Sequence, residues 1–203
     1  MEKYLHCIRH GYALHNKLYF DIGRKAYSEY RDTPLLEEGF KQAKELNKTW
    51  GKLSNIDLVV VSPCTRTLDT AMFVFQDKNI PMISKDFLIE YPLGGDEICN
   101  KRKDKKDLQL LYPHVQFDID NNVLPWSQNM ETIEQLEKRI EKLLYWIGQR
   151  KERNIAIVSH SSFIGQMKDK VIGDEYNELK HCFPYEIVAN YDKGGNFVSL
   201  KIL

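Results

Sequence analysis

The sequence lacks a net charge. Its 203 residues include 29 Lys and Arg against 29 Asp and Glu, so the formal net charge is +0. A balanced chain exerts no long-range attraction on a polyanion, which excludes nucleic-acid binding that depends on bulk charge. The balance still permits a local basic pocket. We therefore expect no nucleic-acid partner and look for short-range sites.

Long apolar runs are also absent, and cysteines are few. No window approaches the roughly 18 consecutive apolar residues of a membrane-spanning helix, and the first ten residues lack the features of a secretory signal. The four cysteines are widely spaced and include no C-x-x-C pair, which argues against a disulfide scaffold. We expect a cytoplasmic protein with no membrane partner.

Large apolar side chains are well represented. Hydrophobic residues make up 42% of the chain and aromatic residues 11%, which is enough to build one sizeable core. The length is too short for two cores of comparable size. We predict a single domain over residues 1–203.

The order of the apolar patterns is typical of an α/β protein. Short β-type runs predict strands at residues 4–9, 56–62 and 154–159. Apolar residues at three- and four-residue steps predict helices at 36–50, 67–75, 133–148 and 162–172, the last followed by Gly173. Two further β-type runs, at 186–191 and 197–202, flank a turn-rich segment and predict a hairpin.

Two stretches have little regular pattern. Residues 17–33 and 90–127 are long for loops in a compact domain, so we expect partial helix or lids over a functional site. The second contains a basic run at 101–107. Such a run is typical of a solvated helix face, and the alternative is a basic lid that faces a substrate.

Reactive side chains follow three of the predicted strands. Arg9-His10-Gly11 follows the first, Ser62 to Thr67 with Arg66 follows the second, and Ser159-His160-Ser161 follows the third. Ligands of open α/β sheets bind outside the carboxyl ends of the strands, so these groups are predicted to share a crevice. Buried cations are costly without an anion. The set therefore predicts a phosphate or sulfate site.

A metal site is not predicted, although His6, Cys7, His10 and His15 are close in sequence. On a strand with a rise of about 3.3 Å per residue, His6 and His10 lie about 13 Å apart, too far to share one ion.

The motifs together resemble the histidine phosphatase superfamily, in the branch that includes cofactor-dependent phosphoglycerate mutases and related phosphatases. The resemblance rests on four segments in order: Arg9-His10-Gly11 with Asn16, residues 32–43, Ser62-Pro63-x-x-Arg66-Thr67-x-x-Thr70-Ala71, and Val158-Ser159-His160. It implies a three-layer sandwich in which helices flank a mostly parallel sheet with one antiparallel edge strand.

The resemblance also implies roles for the matching residues. His10 would be the nucleophile, Arg9, Arg66 and His160 would hold the phosphoryl oxygens, and Glu90 would be the general acid, with Asp96 and Glu97 as alternatives. Neither a metal nor a cofactor is implied. Residues expected to bind phosphate or substrate are Asn16, Gly11, Tyr12, His15, Tyr19, Ser161, Lys101 and Arg102.

The expected activity is metal-independent hydrolysis of small phosphomonoesters through a phosphohistidine. Phosphoserine, sugar phosphates and phosphoglycerates are the candidate substrates. One alternative is a 2,3-bisphosphoglycerate-dependent phosphoglycerate mutase, but Tyr91, Pro92 and Leu93 stand where the mutases have an arginine and a tyrosine. Another is a protein phosphatase or a phosphate-binding interaction module. The predicted hairpin leaves both a monomer and a homodimer open.

Overall fold

A computed structural model describes residues 1–121, 127–169 and 178–203. Its strands are β1 (Glu2–Arg9), β2 (Leu58–Val61), β3 (Met82–Ser84), β4 (Val115–Phe117), β5 (Asn154–Ser159), β6 (Pro184–Tyr191) and β7 (Phe197–Ile202). Its helices are α1 (Leu14–Ile22), α2 (Lys25–Ser28), α3 (Glu37–Thr49), α4 (Thr65–Val74), α5 (Lys105–Leu111), α6 (Ile133–Gly148) and α7 (Ser161–Asp169).

The strands form one seven-stranded sheet in the order β4-β3-β2-β5-β1-β6-β7. The five strands from β4 to β1 are parallel to one another. Strand β6 runs antiparallel to both of its neighbours, so the predicted C-terminal hairpin closes one edge of the sheet. The expectation of a mostly parallel sheet with an antiparallel edge is confirmed.

Helices cover both faces of the sheet. Along β2, Leu58 and Val60 pack into one layer of the core, while Val59 and Val61 pack into the other. This alternation follows from the two-residue period of a strand, and it explains why the run is apolar throughout. The first layer is completed by α6 and α7 and the second by α3, α4 and α5. The protein is therefore a three-layer sandwich.

Helix α6 shows how local sequence sets an element. Thr132 and Gln135 form a capping box, in which the Thr132 N–H donates to Gln135 Oε1 at 2.8 Å. Leu136, Leu143 and the other apolar residues of its stripe enter the core, and the helix ends at Gly148 as predicted. No helix in the described ranges is long and apolar enough to cross a bilayer.

Some elements differ from the sequence prediction. Strands β3 and β4 have three residues each, too few to produce a recognisable periodicity. The irregular stretch at 17–33 contains most of α1 and all of α2, and the stretch at 90–127 contains α5 and β4. The helix predicted at 162–172 begins at Ser161 and is described to Asp169; its predicted end, with Gly173, lies outside the described residues.

The packing predicts a large loss of stability in Leu143→Ala. Leu143 is fully buried in the layer between α6 and the sheet, so truncation should lower the free energy of unfolding by about 2–5 kcal/mol. The matched control is Lys142→Ala, an exposed neighbour on the same helix, which should change it by less than about 0.5 kcal/mol. Urea unfolding measures both, and equal effects would contradict the assigned packing.

Candidate active site

The ends of β1 and β5 bring the predicted groups together. The His10 N–H donates to the Ser159 carbonyl at 3.0 Å, which joins the first residue after β1 to the last residue of β5. The imidazole centroids of His10 and His160 are 5.3 Å apart. Arg66 lies in the first turn of α4, close enough to lower the pKa of both histidines. The predicted convergence of strand ends is therefore observed.

His10 is buried, and one hydrogen bond determines which of its ring nitrogens carries the proton. Its side chain is 2% exposed, and its Nδ1 lies 2.7 Å from the Gly11 carbonyl oxygen. A carbonyl oxygen only accepts hydrogen bonds, so Nδ1 carries the proton and Nε2 keeps its lone pair. Burial, reinforced by Arg66, holds the pKa of His10 well below 6.5. The imidazole is therefore neutral at pH 7, as a nitrogen nucleophile must be.

The backbone that carries His10 is fixed by residues of two other motifs. The Gly11 N–H donates to Thr70 Oγ1 at 2.9 Å, and the Tyr12 N–H donates to Gln42 Oε1 at 2.8 Å. Gly11 also packs against Gly39 so closely that a Cβ atom on Gly11 would lie 2.6 Å from the Gly39 oxygen. Thr70, Gln42 and Gly39 thus support the loop that carries His10.

Arg66 is a buried cation held only by neutral acceptors. Its side chain is 1% exposed, and its two terminal nitrogens donate to the Cys99 carbonyl and to Asn100 Oδ1, both at 2.8 Å. Among the described residues no carboxylate lies within ion-pair distance of Arg66, and its Nε has no hydrogen-bond partner. Such a group is costly to bury unless an anion joins it.

Arg9 is partly paired. Its Nη1 donates to the Leu179 carbonyl at 2.6 Å and to the Glu178 carboxylate at 2.9 Å. Its buried Nε has no partner within the described ranges, and neither does His160 Nδ1. The surroundings of His10 thus contain several buried polar nitrogens without partners. An oxyanion offers acceptors to the guanidinium groups among them.

Two further histidine contacts shape the crevice. His160 Nε2 lies 2.8 Å from Ser62 Oγ, and His15 Nδ1 lies 2.6 Å from Thr33 Oγ1. Both histidines are buried, and burial beside Arg66 holds the pKa of each well below 6.5. The His15 ring is 5.5 Å from that of His10. The crevice is therefore lined by neutral imidazoles.

The outer wall next to His15 is aromatic. The Tyr27 ring lies 5.9 Å from the His15 ring, and Tyr19 stacks on Tyr27 with a centroid distance of 5.4 Å. Tyr19 therefore reaches the site through Tyr27 and His15, on the α1 and α2 side. Tyr12 lies on another side, against the ring of His181.

Asn16 and Ser161 each make one local contact. Asn16 Oδ1 accepts a hydrogen bond from the Ala13 N–H at 3.0 Å, which leaves its amide NH₂ as the donor. Ser161 Oγ accepts from the Leu179 N–H at 3.1 Å, in the segment that also holds Arg9. These contacts are compatible with the predicted roles and do not test them.

The carboxyl group of Glu90 lies at the N-terminus of α7, beside the turn that carries His160. Its carboxylate accepts backbone hydrogen bonds from Tyr91 at 2.8 Å, Phe163 at 3.0 Å and Ser162 at 3.1 Å. Burial raises the pKa of Glu90, and the three N–H groups oppose that shift without cancelling it. Of the alternatives, Glu97 is buried and forms an ion pair with Arg24.

The two irregular stretches form one wall. Arg31 donates to the carbonyls of Lys101 and Arg102 at 3.0 and 2.8 Å. Lys103 Nζ lies 2.8 Å from Asp32 Oδ2, and Asp32 also accepts from the Thr65 N–H at the start of α4. Segments far apart in sequence are thus joined next to Arg66.

The basic run is divided between a non-helical segment and the start of α5. Helix α5 begins only at Lys105, so the run is not one continuous helix face. Arg102 is 1% exposed and donates to both carboxylate oxygens of Asp86 at 2.5 and 2.9 Å. This two-point pair gives Arg102 a carboxylate partner within the protein, and its expected contact with substrate stays a prediction. Lys101 is half-buried beside it.

His181 is the neighbour of His10 that sequence reasoning missed. Its Nδ1 lies 2.7 Å from the His10 carbonyl oxygen, and the two ring centroids are 5.6 Å apart. Burial and the nearby Arg9 lower the pKa of His181 to about 4. His181 belongs to none of the motifs, and a lone histidine before a strand gives no signal of its own.

Comparisons with known proteins agree on one family. The model of the Histidine phosphatase superfamily (branch 1) matches residues 5–186. Phosphoglycerate mutase-like protein 1 of Arabidopsis thaliana is 31% identical over 198 residues, covering 80% of this chain and 69% of the relative. Phosphoserine phosphatase 1 of Hydrogenobacter thermophilus is 25% identical over 166 residues, covering 78% and 72%. The crystal structure of the alpha-ribazole phosphatase from Shigella flexneri shares the fold, with a TM-score of 0.62 at 21% identity and coverage of 98% and 95%.

The unpartnered donors predict that inorganic phosphate stabilises the protein. At ten times its Kd, phosphate should raise the free energy of unfolding by about 1.4 kcal/mol and the Tm by about 3–6 °C. Arg66→Met should abolish this increment, because it removes the uncompensated cation. Arg153→Met, an exposed arginine at the other end of β5, should retain it. Differential scanning calorimetry against chloride of equal ionic strength measures the increment, and an unchanged response in Arg66→Met would refute the assignment.

Proposed function

The chain belongs to branch 1 of the histidine phosphatase superfamily, and we propose that it is a metal-independent phosphatase of small phosphomonoesters that forms a phosphohistidine at His10. One observation carries this proposal: a neutral His10 with a free Nε2 is buried beside the uncompensated guanidinium of Arg66. A nucleophile and a positive charge are therefore available where a phosphoryl group would lie. The protein itself supplies both the nucleophile and the positive charge.

The first step is attack of His10 Nε2 on phosphorus. The Nε2 lone pair forms the N–P bond while the ester P–O bond breaks, and the electron pair of that bond leaves on the alkoxide oxygen. The imidazole becomes positively charged as the bond forms. Because Nδ1–H already donates to the Gly11 carbonyl, the partial negative charge of that oxygen stabilises the developing cation.

Charge on the transferred group is stabilised by the surrounding cations. Phosphoryl transfer depends mainly on positioning and on electrostatic stabilisation of the equatorial oxygens. Arg66 and Arg9 supply fixed positive charge, and the amide of Asn16 supplies a neutral donor. Burial and the nearby Arg66 lower the pKa of His160 and favour its neutral form, and a nearby phosphate dianion would favour its protonated form.

Glu90 is proposed as the general acid and then the general base. Its raised pKa favours the protonated form, which donates its proton to the leaving alkoxide to give the free alcohol. The resulting carboxylate then takes a proton from water as the water oxygen attacks phosphorus, and the N–P bond breaks with its electron pair returning to His10 Nε2. Phosphate leaves, and His10 and protonated Glu90 are both restored.

Small phosphomonoesters are the proposed substrate class. Phosphoserine, sugar phosphates and phosphoglycerates remain the candidates, and the relative named phosphoserine phosphatase supports the hydrolytic reaction over the transfer of a mutase. Contacts join residues 24–33 to residues 97–103 in one wall next to Arg66, and we propose that this wall restricts the site to compact alcohols. Residues Tyr91, Pro92 and Leu93 argue against mutase activity.

The organisation and location of the protein are also proposed. We assign residues 1–203 to one domain in which the segment 90–127 covers the site, because Cys99 and Asn100 hold Arg66 directly. Residues 122–126 of that segment lie outside the described residues. The four cysteine thiols are unpaired and buried, which supports a reducing cytoplasmic location.

Substitution of His10 tests the nucleophile. His10→Asn should reduce hydrolysis by roughly 10³-fold or more, because the amide nitrogen of Asn is not nucleophilic and cannot accept the phosphoryl group. His114→Asn, which alters an exposed histidine, is the matched control and should keep full activity. The assay uses a panel of phosphomonoesters with a chelator present, and rapid quenching should trap an acid-labile, base-stable phosphoenzyme in the wild type and in His114→Asn but not in His10→Asn.

Two results would overturn this mechanism. Loss of wild-type activity in the chelator would show that a metal ion takes part. Hydrolysis that survives in His10→Asn would place the nucleophile elsewhere. Isomerase turnover that depends on 2,3-bisphosphoglycerate and exceeds hydrolysis would instead identify a mutase.

Glu90→Gln tests the general acid through its dependence on the leaving group. An alkyl phosphate needs a proton on its leaving oxygen, so phosphoenzyme formation should slow by about 10²-fold or more. With p-nitrophenyl phosphate, whose leaving group is a stable anion, the same step should slow much less. Rapid-quench kinetics separate this step from later hydrolysis. Glu97→Gln is the control, and the leaving-group effect appearing there instead would transfer the role to Glu97.

A further inference from the structure

The segment immediately before β6 wraps around Arg9, the last residue of β1, and His10, the residue that follows it. Leu179 and Glu178 bind the guanidinium of Arg9, and the Cys182 N–H donates to the Arg9 carbonyl at 2.9 Å. The fourth contact is the hydrogen bond between His181 Nδ1 and the His10 carbonyl oxygen, at 2.7 Å. A segment without a recognised motif therefore contacts both the nucleophile and its neighbouring arginine.

The contact between His181 and the His10 carbonyl shows which atom donates the hydrogen bond. Because the His10 carbonyl can only accept, the proton is on His181 Nδ1 and the ring donates it. The ring is also located by contacts with the rings of His10 and Tyr12, at 5.6 and 5.7 Å. A donor at the Nδ1 position is thus required to satisfy this carbonyl.

The His10–Gly11 peptide is held from both sides. Its carbonyl accepts from His181, and its N–H donates to Thr70 Oγ1 at 2.9 Å. Together these bonds fix the peptide plane, and the Gly11 carbonyl in turn accepts from the His10 imidazole. Loss of the His181 donor frees one side of the plane. The imidazole then moves with the backbone that carries it.

We propose that His181 is a positioning residue, which orients the His10 imidazole for attack by holding the main-chain carbonyl of His10. It does not touch the phosphoryl group. The proposal rests on the proposed function of His10 as the nucleophile. A displacement of about 1 Å in a reacting group can reduce a rate by about 10²-fold, so the contribution of this contact is measurable in kcat.

Three substitutions at His181 separate the effect of its hydrogen-bond donor from the effect of its side-chain volume. In Asn, the amide nitrogen is as many bonds from Cα as Nδ1 is in histidine, whereas in Gln it is one bond further. His181→Asn should restore the donor and keep kcat within about 3-fold of wild type. His181→Gln and His181→Ala should lower kcat by about 10–100-fold, with KM within about 3-fold because Arg9 and Arg66 still bind phosphate. His114→Gln should leave both constants unchanged.

The outcomes are distinguishable from a loss of folding and from failure of the proposed function. Urea midpoints of the variants identify any global destabilisation, and phosphate-induced stabilisation shows whether the anion site is intact. Equal kcat in His181→Asn and His181→Gln would refute the proposal. If the wild type transfers no phosphoryl group, the proposed function fails. The ¹⁵N resonances of the His10 imidazole then test the positioning alone: they should match wild type in His181→Asn and shift in His181→Gln, and identical spectra would refute it.

Discussion

Burial of a neutral imidazole beside arginine is the constraint on which the rest of the site depends. His10 loses solvation at the end of β1, and the Gly11 carbonyl fixes its proton on Nδ1. The lone pair on Nε2 is thereby available at physiological pH. This arrangement needs a rigid backbone, since a rotation of the His10–Gly11 peptide would move both partners of the hydrogen bond. Thr70, Gln42 and Gly39 provide that rigidity.

Three buried arginines differ in the charge of the groups that hold them. Arg102 is paired with Asp86, and Arg139 is paired with Glu131 through two contacts of 2.6 Å. Arg66 is equally deep, yet its acceptors are neutral oxygens. Arg102 and Arg139 therefore have their counter-ions within the protein, whereas Arg66 has a charge available for a bound anion.

The net charge of zero is compatible with this arrangement because charge is distributed unevenly. Ion pairs neutralise Arg102 and Lys103 of the basic run. The guanidinium of Arg66, which has neutral acceptors, lies beside neutral histidines. Such a site attracts a small anion at short range and gives little long-range attraction for a polymer. The expectation of a local pocket and the exclusion of a bulk polyanion are thus consistent.

The sequence by itself determined the alternation of strands and helices, the three buried strands and the groups at their ends. These follow from periodicity and from the rule that strand ends meet, so His10, Arg9, Arg66 and His160 were predicted together. Short strands such as β3 have too few residues to show the two-residue period by which a strand is predicted. The partner of Arg102 and the contact of His181 depend on residues 16 and 171 positions away, respectively. Only the tertiary structure decided these, because a hydrogen bond depends on distance in space and local sequence does not encode which distant group completes it.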